Sequence, residues 1–415
     1  MKQPRVVITG MGAITPLGNS TQEFWQGLLA GRSGVRRITQ FDASRLPCQI
    51  AGEIPDFHPE DYMDRKVARR ISRCAQIALA AAQEAVRDAG LPDSMPDPER
   101  AGVAMGTGFG GIDVIQDNLE VYREKGFERV NPFALPASIL NLPAFVISQL
   151  FRCLGPSVTI TTACATSTQS IGEGVELIRR GVVDLVISGG TEAVVRDIAI
   201  AGFSNMRALP VNYNDRPAQA SRPFDLDREG FVFSEGTGVF VLERSDHALG
   251  RGARIYCEVA GHAASSDGYH VAIPEPEAAG SIRCMRWALR DAGLNPDEID
   301  YINAHGTGTP INDPLETRAI KTVFGEHAFR IPVSSTKSMV GHAMGAAGAL
   351  EAIACAQTIA TGWIHPTINL DQPDPECDLD YVPHQARQAE VNAALSNSFG
   401  LGGQNACLVF KRYQD

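Results

Sequence analysis

The chain has 415 residues, 44% of them apolar, enough for one large domain or two fused halves. A net charge of −11 speaks against general nucleic-acid binding, because attraction to phosphate needs a basic surface. Nine cysteines, an odd number with no C-x-x-C pair, argue against a disulfide framework and a structural zinc site and fit a reducing cytoplasm.

Met1 to Arg5 leads into "VVITGMGAITPLG", whose glycines and proline read as a strand entering a loop rather than the core of a secretory signal. The run "DRKVARRISR", Asp64 to Arg73, places Arg65, Lys66, Arg69, Arg70 and Arg73 at helical spacing. It runs into a predicted helix over Val67–Ala89 and reads either as a solvated face or as a dock for an acidic partner. "RDAGL" closes that pattern at Arg87–Leu91 with glycine at the C-cap position, and recurs at Arg290–Leu294. Each copy is followed by a Pro/Asp loop, a strand and a glycine turn, "MGTG" at Met105–Gly108 and "HGTG" at His305–Gly308. Shared order as well as shared letters predicts a duplication, with halves at 1–252 and 253–415. The β-branched runs "AGVAMG", "SVTITTA" and "VVDLVISGG" alternate with helical patterns such as Ile171–Arg180, which predicts an α/β fold with largely parallel sheets.

The turn Gly106-Thr-Gly108-Phe-Gly110-Gly111 satisfies G-x-G-x-x-G between a strand and a helix. The acidic residue that a dinucleotide site needs at the end of a following strand is missing, since the chain near Glu128 reads "GFERVNPF", a loop. A shared strand-end turn is the better reading. Cys164, in "TTACATSTQS", follows a strand and opens a helix, where the dipole and unpaired N–H groups favour a thiolate. That is a nucleophile's position, whereas Cys74, Cys153, Cys284 and Cys355 lie within helical patterns and read as small buried hydrophobes. His305, ending "IDYINAHGTGT", and His342, in "SSTKSMVGHAMGAAGALE", stand among glycines at strand ends, with Lys337 in a small apolar loop where it would tune local charge. The alanine-rich run from Ala343 carries Glu351 and reads as an interior helix, not a membrane span.

"VVITGMGAITPLG", "TTACATS", "PFDLDREGFVFSEG", "NAHGTGT", "STKSMVGHAMGAAG" and "NSFGLGG" together resemble, in order and spacing, the elongating β-ketoacyl-acyl-carrier-protein synthases (synthase II type) of the thiolase superfamily. The resemblance spans almost the whole chain. It implies a duplicated five-layered α/β/α/β/α fold, a cytoplasmic homodimer, and no cofactor of its own beyond the phosphopantetheine arm of an acyl carrier protein. Carried over by motif, Cys164 is the acylated nucleophile, His305 and His342 complete the triad, and Lys337 supports His342. The backbone N–H groups of Cys164 and Leu401 form the oxyanion hole, and Thr307, Thr309, Phe399 and Leu401 face substrate. Arg65, Lys66, Arg69 and Arg70, with Arg129 and Arg207 as outlying contacts, would dock the acidic carrier. The implied reaction is acyl transfer to Cys164, decarboxylation of malonyl-carrier protein and Claisen condensation in fatty-acid elongation.

Related classes separate at the triad. Initiating synthases pair the cysteine with His and Asn, and thiolases add a second reactive cysteine; here the second position is His342, and Cys407 falls in a predicted terminal strand. A non-catalytic chain-length factor lacks the nucleophile, while a ketosynthase of a type II polyketide or polyene pathway keeps the same chemistry. Leu401 stands where elongating synthases commonly carry phenylalanine, which leaves the shape of the acyl entrance open.

Overall fold

A computed structural model describes residues 3–414. Its main sheet contains β1 (Val6–Ile14), β2 (Ala101–Gly106), β3 (Ser157–Ile160), β4 (Leu185–Glu192), β5 (Gly236–Arg244), β6 (Cys257–Ser266), β7 (Tyr301–Asn303), β8 (Val333–Ser334), β9 (Ala393–Gly400) and β10 (Gln404–Lys411). The spatial order is β3-β2-β4-β5-β1-β6-β10-β9-β7-β8. From either edge inward, the order is the third, second, fourth, fifth and first strand of a set of five. The duplication expected from the two "RDAGL" copies is therefore present in the topology. The sets meet where Val7 and Ile8 of β1 pair antiparallel with Glu258 and Cys257 of β6. In both copies the glycine ends its helix in the left-handed region, Gly90 at φ 67° and Gly293 at φ 65°, which a residue without Cβ adopts freely.

The sheet is mixed rather than largely parallel. Parallel pairing is confined to the flanks, β2 with β3 and β4, and β7 with β8 and β9, while the middle strands are antiparallel. Connection length accounts for one of these pairs: β9 reaches β10 through residues 401–403, far too short for the crossover that a parallel pair requires.

Six helices matter for the site: α1 (Arg65–Ala68), α2 (Arg73–Asp88), α3 (Thr166–Arg179), α4 (Ala279–Ala292), α5 (Asn312–Phe324) and α6 (Ala347–Thr361). Helix α2 covers β1 and β5 on one outer face, and α4, backed by α5, covers β6 and β10 on the other. Between them α3 and α6 pack on each other and on strands of both sets, which completes five layers. A helix sandwiched this way must be small or apolar all round, and α6 buries its Ala, Leu, Ile and Cys positions from Ala347 to Ile359 on every side together with Glu351. No helix among the described residues is long and apolar enough to cross a membrane.

Two helical expectations change. The run predicted as one helix over Val67–Ala89 is broken between α1 and α2, because Asp64 caps a four-residue helix and Ser72, in extended conformation, starts a new one. The break turns Arg73 inward, where its guanidinium grips buried Glu235 through two 2.8 Å hydrogen bonds. Cys153 lies just beyond the helix Leu142–Phe151, after Arg152 in the left-handed region, although it is buried as expected.

Candidate active site

The site is assembled at the ends of β3 and β7 and at the start of α6. After β3 the chain makes a tight turn at Ala163–Ala165, with Ala163 at φ 51°, a conformation that costs an L-residue about 1–2 kcal/mol. The turn sets Cys164 at the head of α3, buried to 5% exposure, with no backbone carbonyl accepting from its N–H among the described residues. The backbone N–H of Leu401, in the β9–β10 turn, faces the Cys164 sulfur. Two unshared N–H groups thus flank the thiol.

His342 Nε2 lies 3.0 Å from Cys164 Sγ. The Met344 N–H donates to His342 Nδ1 over 3.2 Å, so Nδ1 is the acceptor and Nε2 carries the proton. His305 has the same tautomer for a different reason. The Lys337 ammonium donates to His305 Nδ1 over 3.3 Å and to the His305 carbonyl over 2.7 Å, again leaving the proton on Nε2. The two rings stand edge to face at 5.5 Å between centroids. Phe231 packs against His342, and Phe399 against His305.

Lys337, expected beside His342, is thus a partner of His305. The helical turn Lys337–Val340 and the reversal at Gly341 (φ 74°) carry His342 away from Lys337 and toward Cys164. Lys337 is also paired with Glu351 of α6, both about 1% exposed, and Ser398 Oγ donates to the other Glu351 oxygen over 3.3 Å.

Burial dominates the electrostatics. It pushes the Cys164 thiol up to about 11, against the opposing pull of the Leu401 N–H and Lys337, so the helix N-terminus does not by itself yield a resting thiolate. Burial, aided by the Lys337 charge, holds His305 and His342 well below the ordinary imidazole range, so both are neutral donors at pH 7. The ligand atoms of Cys164, His305 and His342 lie within 4.8 Å of one another, the one grouping among the described residues spaced to grip an ion. The neighbouring ammonium opposes a further positive charge there.

Thr307 is buried and shares a 3.1 Å hydrogen bond with half-buried Thr309; Phe399 and Leu401 are half-buried at the rim. Arg65, Lys66, Arg69, Arg70, Arg129 and Arg207 are exposed, whereas Arg73 leaves the basic surface for Glu235.

Two carboxylates of the site did not stand out in the sequence. Glu316 of α5 accepts from the N–H groups of His305 and Gly306, both at 2.8 Å, and so fixes the "HGTG" turn. Glu192, ending β4, accepts from Gly108 N, Phe109 N and Thr107 Oγ1 of the "MGTG" turn. Those donors are the ones a pyrophosphate would need, which disposes of the dinucleotide reading. An acid ending the otherwise apolar and small run "LVISGGTE" was the available signal, since a charge there must find buried donors.

Comparison with known proteins places the chain in a family. Residues 3–248 match the model of the β-ketoacyl synthase N-terminal domain and residues 256–371 that of its C-terminal domain. A thiolase-like fold bearing a buried thiol between two imidazoles defines an acyl-transferring condensing enzyme. The chain belongs to the β-ketoacyl synthase family. It is 48% identical over 414 residues to 3-oxoacyl-acyl-carrier-protein synthase 2 of Synechocystis sp., covering 100% of this chain and 99% of that one. Among solved structures it resembles the ishigamide ketosynthase/chain length factor, with a TM-score of 0.93 and 40% identity over 100% of both chains. It also resembles a chain of a type II PKS acyl-carrier protein in complex with its ketosynthase bound to the hexaketide, with a TM-score of 0.92 and 34% identity over 100% of both.

Proposed function

We propose that this protein elongates fatty-acyl chains on an acyl carrier protein. The observation that carries the reading is the placement of His342 Nε2 3.0 Å from Cys164 Sγ, in a site where both imidazoles present N–H donors. In the first half-reaction the Cys164 sulfur attacks the thioester carbonyl of an acyl-carrier protein. The tetrahedral oxyanion is held by the N–H groups of Cys164 and Leu401, the carrier thiolate leaves, and the thiol proton goes with it.

Malonyl-carrier protein then binds with its carboxylate toward Thr307 and Thr309. The bond to that carboxylate breaks, CO₂ departs, and the electron pair becomes an enolate whose oxygen is met by His305 and His342 Nε2–H. The enolate carbon attacks the acyl-Cys164 carbonyl, Cys164 thiolate is expelled, and a 3-oxoacyl chain two carbons longer leaves on its carrier. No group beyond the carrier's phosphopantetheine arm is needed for these steps. Lys337 orients His305 without touching substrate.

The exposed Arg65, Lys66, Arg69 and Arg70, with Arg129 and Arg207, suit docking of an acidic carrier by an otherwise acidic chain. A homodimer is supported by β3, a sheet edge paired on one side only, with Leu154 just before it 62% exposed. A soluble cytoplasmic setting suits these partners. The second reading, a type II polyketide or polyene ketosynthase, is favoured by Leu401 and by the likeness to the ishigamide ketosynthase. Cys164 argues against a chain-length-factor role.

The test is intact-mass analysis of the protein with acyl-carrier proteins, followed by malonyl-carrier protein and mass spectrometry of the carrier-bound products. One acyl adduct, absent from Cys164→Ala, and a 3-oxoacyl product longer by two carbons are expected. Acylation of Cys164→Ala to the wild-type extent would overturn the assignment.

A further inference from the structure

The "MGTG" turn takes no part in the chemistry above, yet it is tied to the active site from two sides. On the thiol side, Thr161 Oγ1 donates to the Thr107 carbonyl over 2.8 Å and Thr107 N–H donates to Ile160 O over 3.3 Å, so the turn braces the approach to Cys164. On the histidine side, Glu192 Oε2 accepts from Gly108 N at 2.8 Å and also from Gly345 N at 3.1 Å. Gly345 directly follows Met344, whose N–H sets the tautomer of His342. Met344 holds φ 45°, a strained conformation for a residue with a Cβ, which persists only where its neighbours are fixed.

The contact is also sterically exact in kind. A Cβ on Gly345 would lie 2.5 Å from Gly108 N and 2.7 Å from Glu192 Oε2, so only glycine lets the two turns share one carboxylate. Glu192 is fully buried, and its other oxygen is occupied by Thr107 Oγ1 at 3.0 Å and Phe109 N at 3.2 Å.

The geometry points to Glu192 as a positioning residue that joins the two halves of the duplicated fold and holds His342 in the Nε2–H tautomer against Cys164. It touches neither substrate nor the reacting atoms. Its hold on His342 runs through Gly345 and Met344, whereas the brace beside Cys164 is made by the Thr107 backbone with Thr161 and Ile160 and not by Glu192, so it acts on enolate stabilisation and spares the Cys164–Leu401 oxyanion hole. This deepens the reaction proposed above and rests on it for its kinetic consequence.

Glu192→Gln keeps shape and one acceptor oxygen, and Gly345→Ala displaces the same contact while the carboxylate stays. In each, acylation of Cys164 by acyl-carrier protein is expected within about threefold of wild type. Release of CO₂ from malonyl-carrier protein should fall about tenfold or more in kcat, with KM little changed, as when a donor is misplaced. The double variant should be no worse than the worse single one, since both break one contact. The ¹⁵N ring resonances of His342, identified by their loss in His342→Ala, should show a single Nε2–H tautomer in wild type and a mixture in both variants. That readout decides the matter even if wild type releases no CO₂, a result that would count against the reaction and not against the positioning. An unchanged His342 tautomer in both variants, or parallel loss of acylation, CO₂ release and thermal stability, would overturn the inference.

Discussion

Replacing Lys337 by methionine separates the energetic role of the buried ion pair from its role in orienting His305. Lys337 and Glu351 are both about 1% exposed, and the ammonium has three acceptors: Glu351, the His305 carbonyl and His305 Nδ1. Methionine fills the stem's volume but leaves the Glu351 carboxylate with Ser398 Oγ alone. Breaking one side of such a pair costs about 3–5 kcal/mol, because the remaining charge is stranded. Burial already raises the Glu351 carboxyl, so protonation of Glu351 relieves part of that cost. Lys337→Met/Glu351→Leu should therefore recover most of the lost stability in equilibrium denaturation. Catalysis should not recover with it. His305 has lost a charge-assisted hydrogen bond to Nδ1, worth about 1.5–3 kcal/mol, so CO₂ release should stay about ten- to a hundredfold low in both variants. A single variant as stable as wild type, or a double variant with restored CO₂ release, would refute the reasoning.

His305→Ala and His342→Ala should each still permit acylation of Cys164 while slowing CO₂ release about a hundredfold or more, as measured by single-turnover assays; normal release in both would end the division of labour. Charge reversal at Arg69 and Arg70 should raise KM for carrier-bound substrate, in a salt-dependent way, and spare a small pantetheine thioester; equal loss on both substrates would indicate misfolding instead. Leu401→Phe should penalise the longest or bulkiest acyl chains most, because each methylene in an apolar pocket is worth about 1–3 kcal/mol; an unchanged product distribution would remove this position from specificity. With the Cys164 thiol lifted to about 11, its alkylation by iodoacetamide should climb about tenfold per pH unit between roughly pH 7 and 9. A plateau near pH 7 would mean that the flanking N–H donors outweigh burial.

What the sequence determined by itself was local or repeated: two "RDAGL" helices ending in left-handed glycine, alternating strands and helices, a cysteine at a strand–helix junction, and two histidines on glycine-rich turns. Each follows from residue type and spacing along the chain, since backbone conformation and hydrophobic period are properties of neighbours. Tertiary structure decided everything that depends on which distant groups meet. Lys337 faces His305 rather than His342 because Gly341 reverses the chain between them. Arg73 belongs to Glu235 rather than to the basic surface because the helix breaks at Ser72. The antiparallel centre of the sheet follows from where the two copies abut and from the short β9–β10 turn. Glu192 and Glu316 are ordinary acids until burial deprives them of water, after which they are satisfied mainly by backbone N–H groups of the two glycine turns, with help from Thr107 Oγ1 and Asn397 Nδ2. The same burial sets the thiol and imidazole protonation states, because the cost of a charge depends on the surrounding dielectric, which no stretch of sequence carries alone.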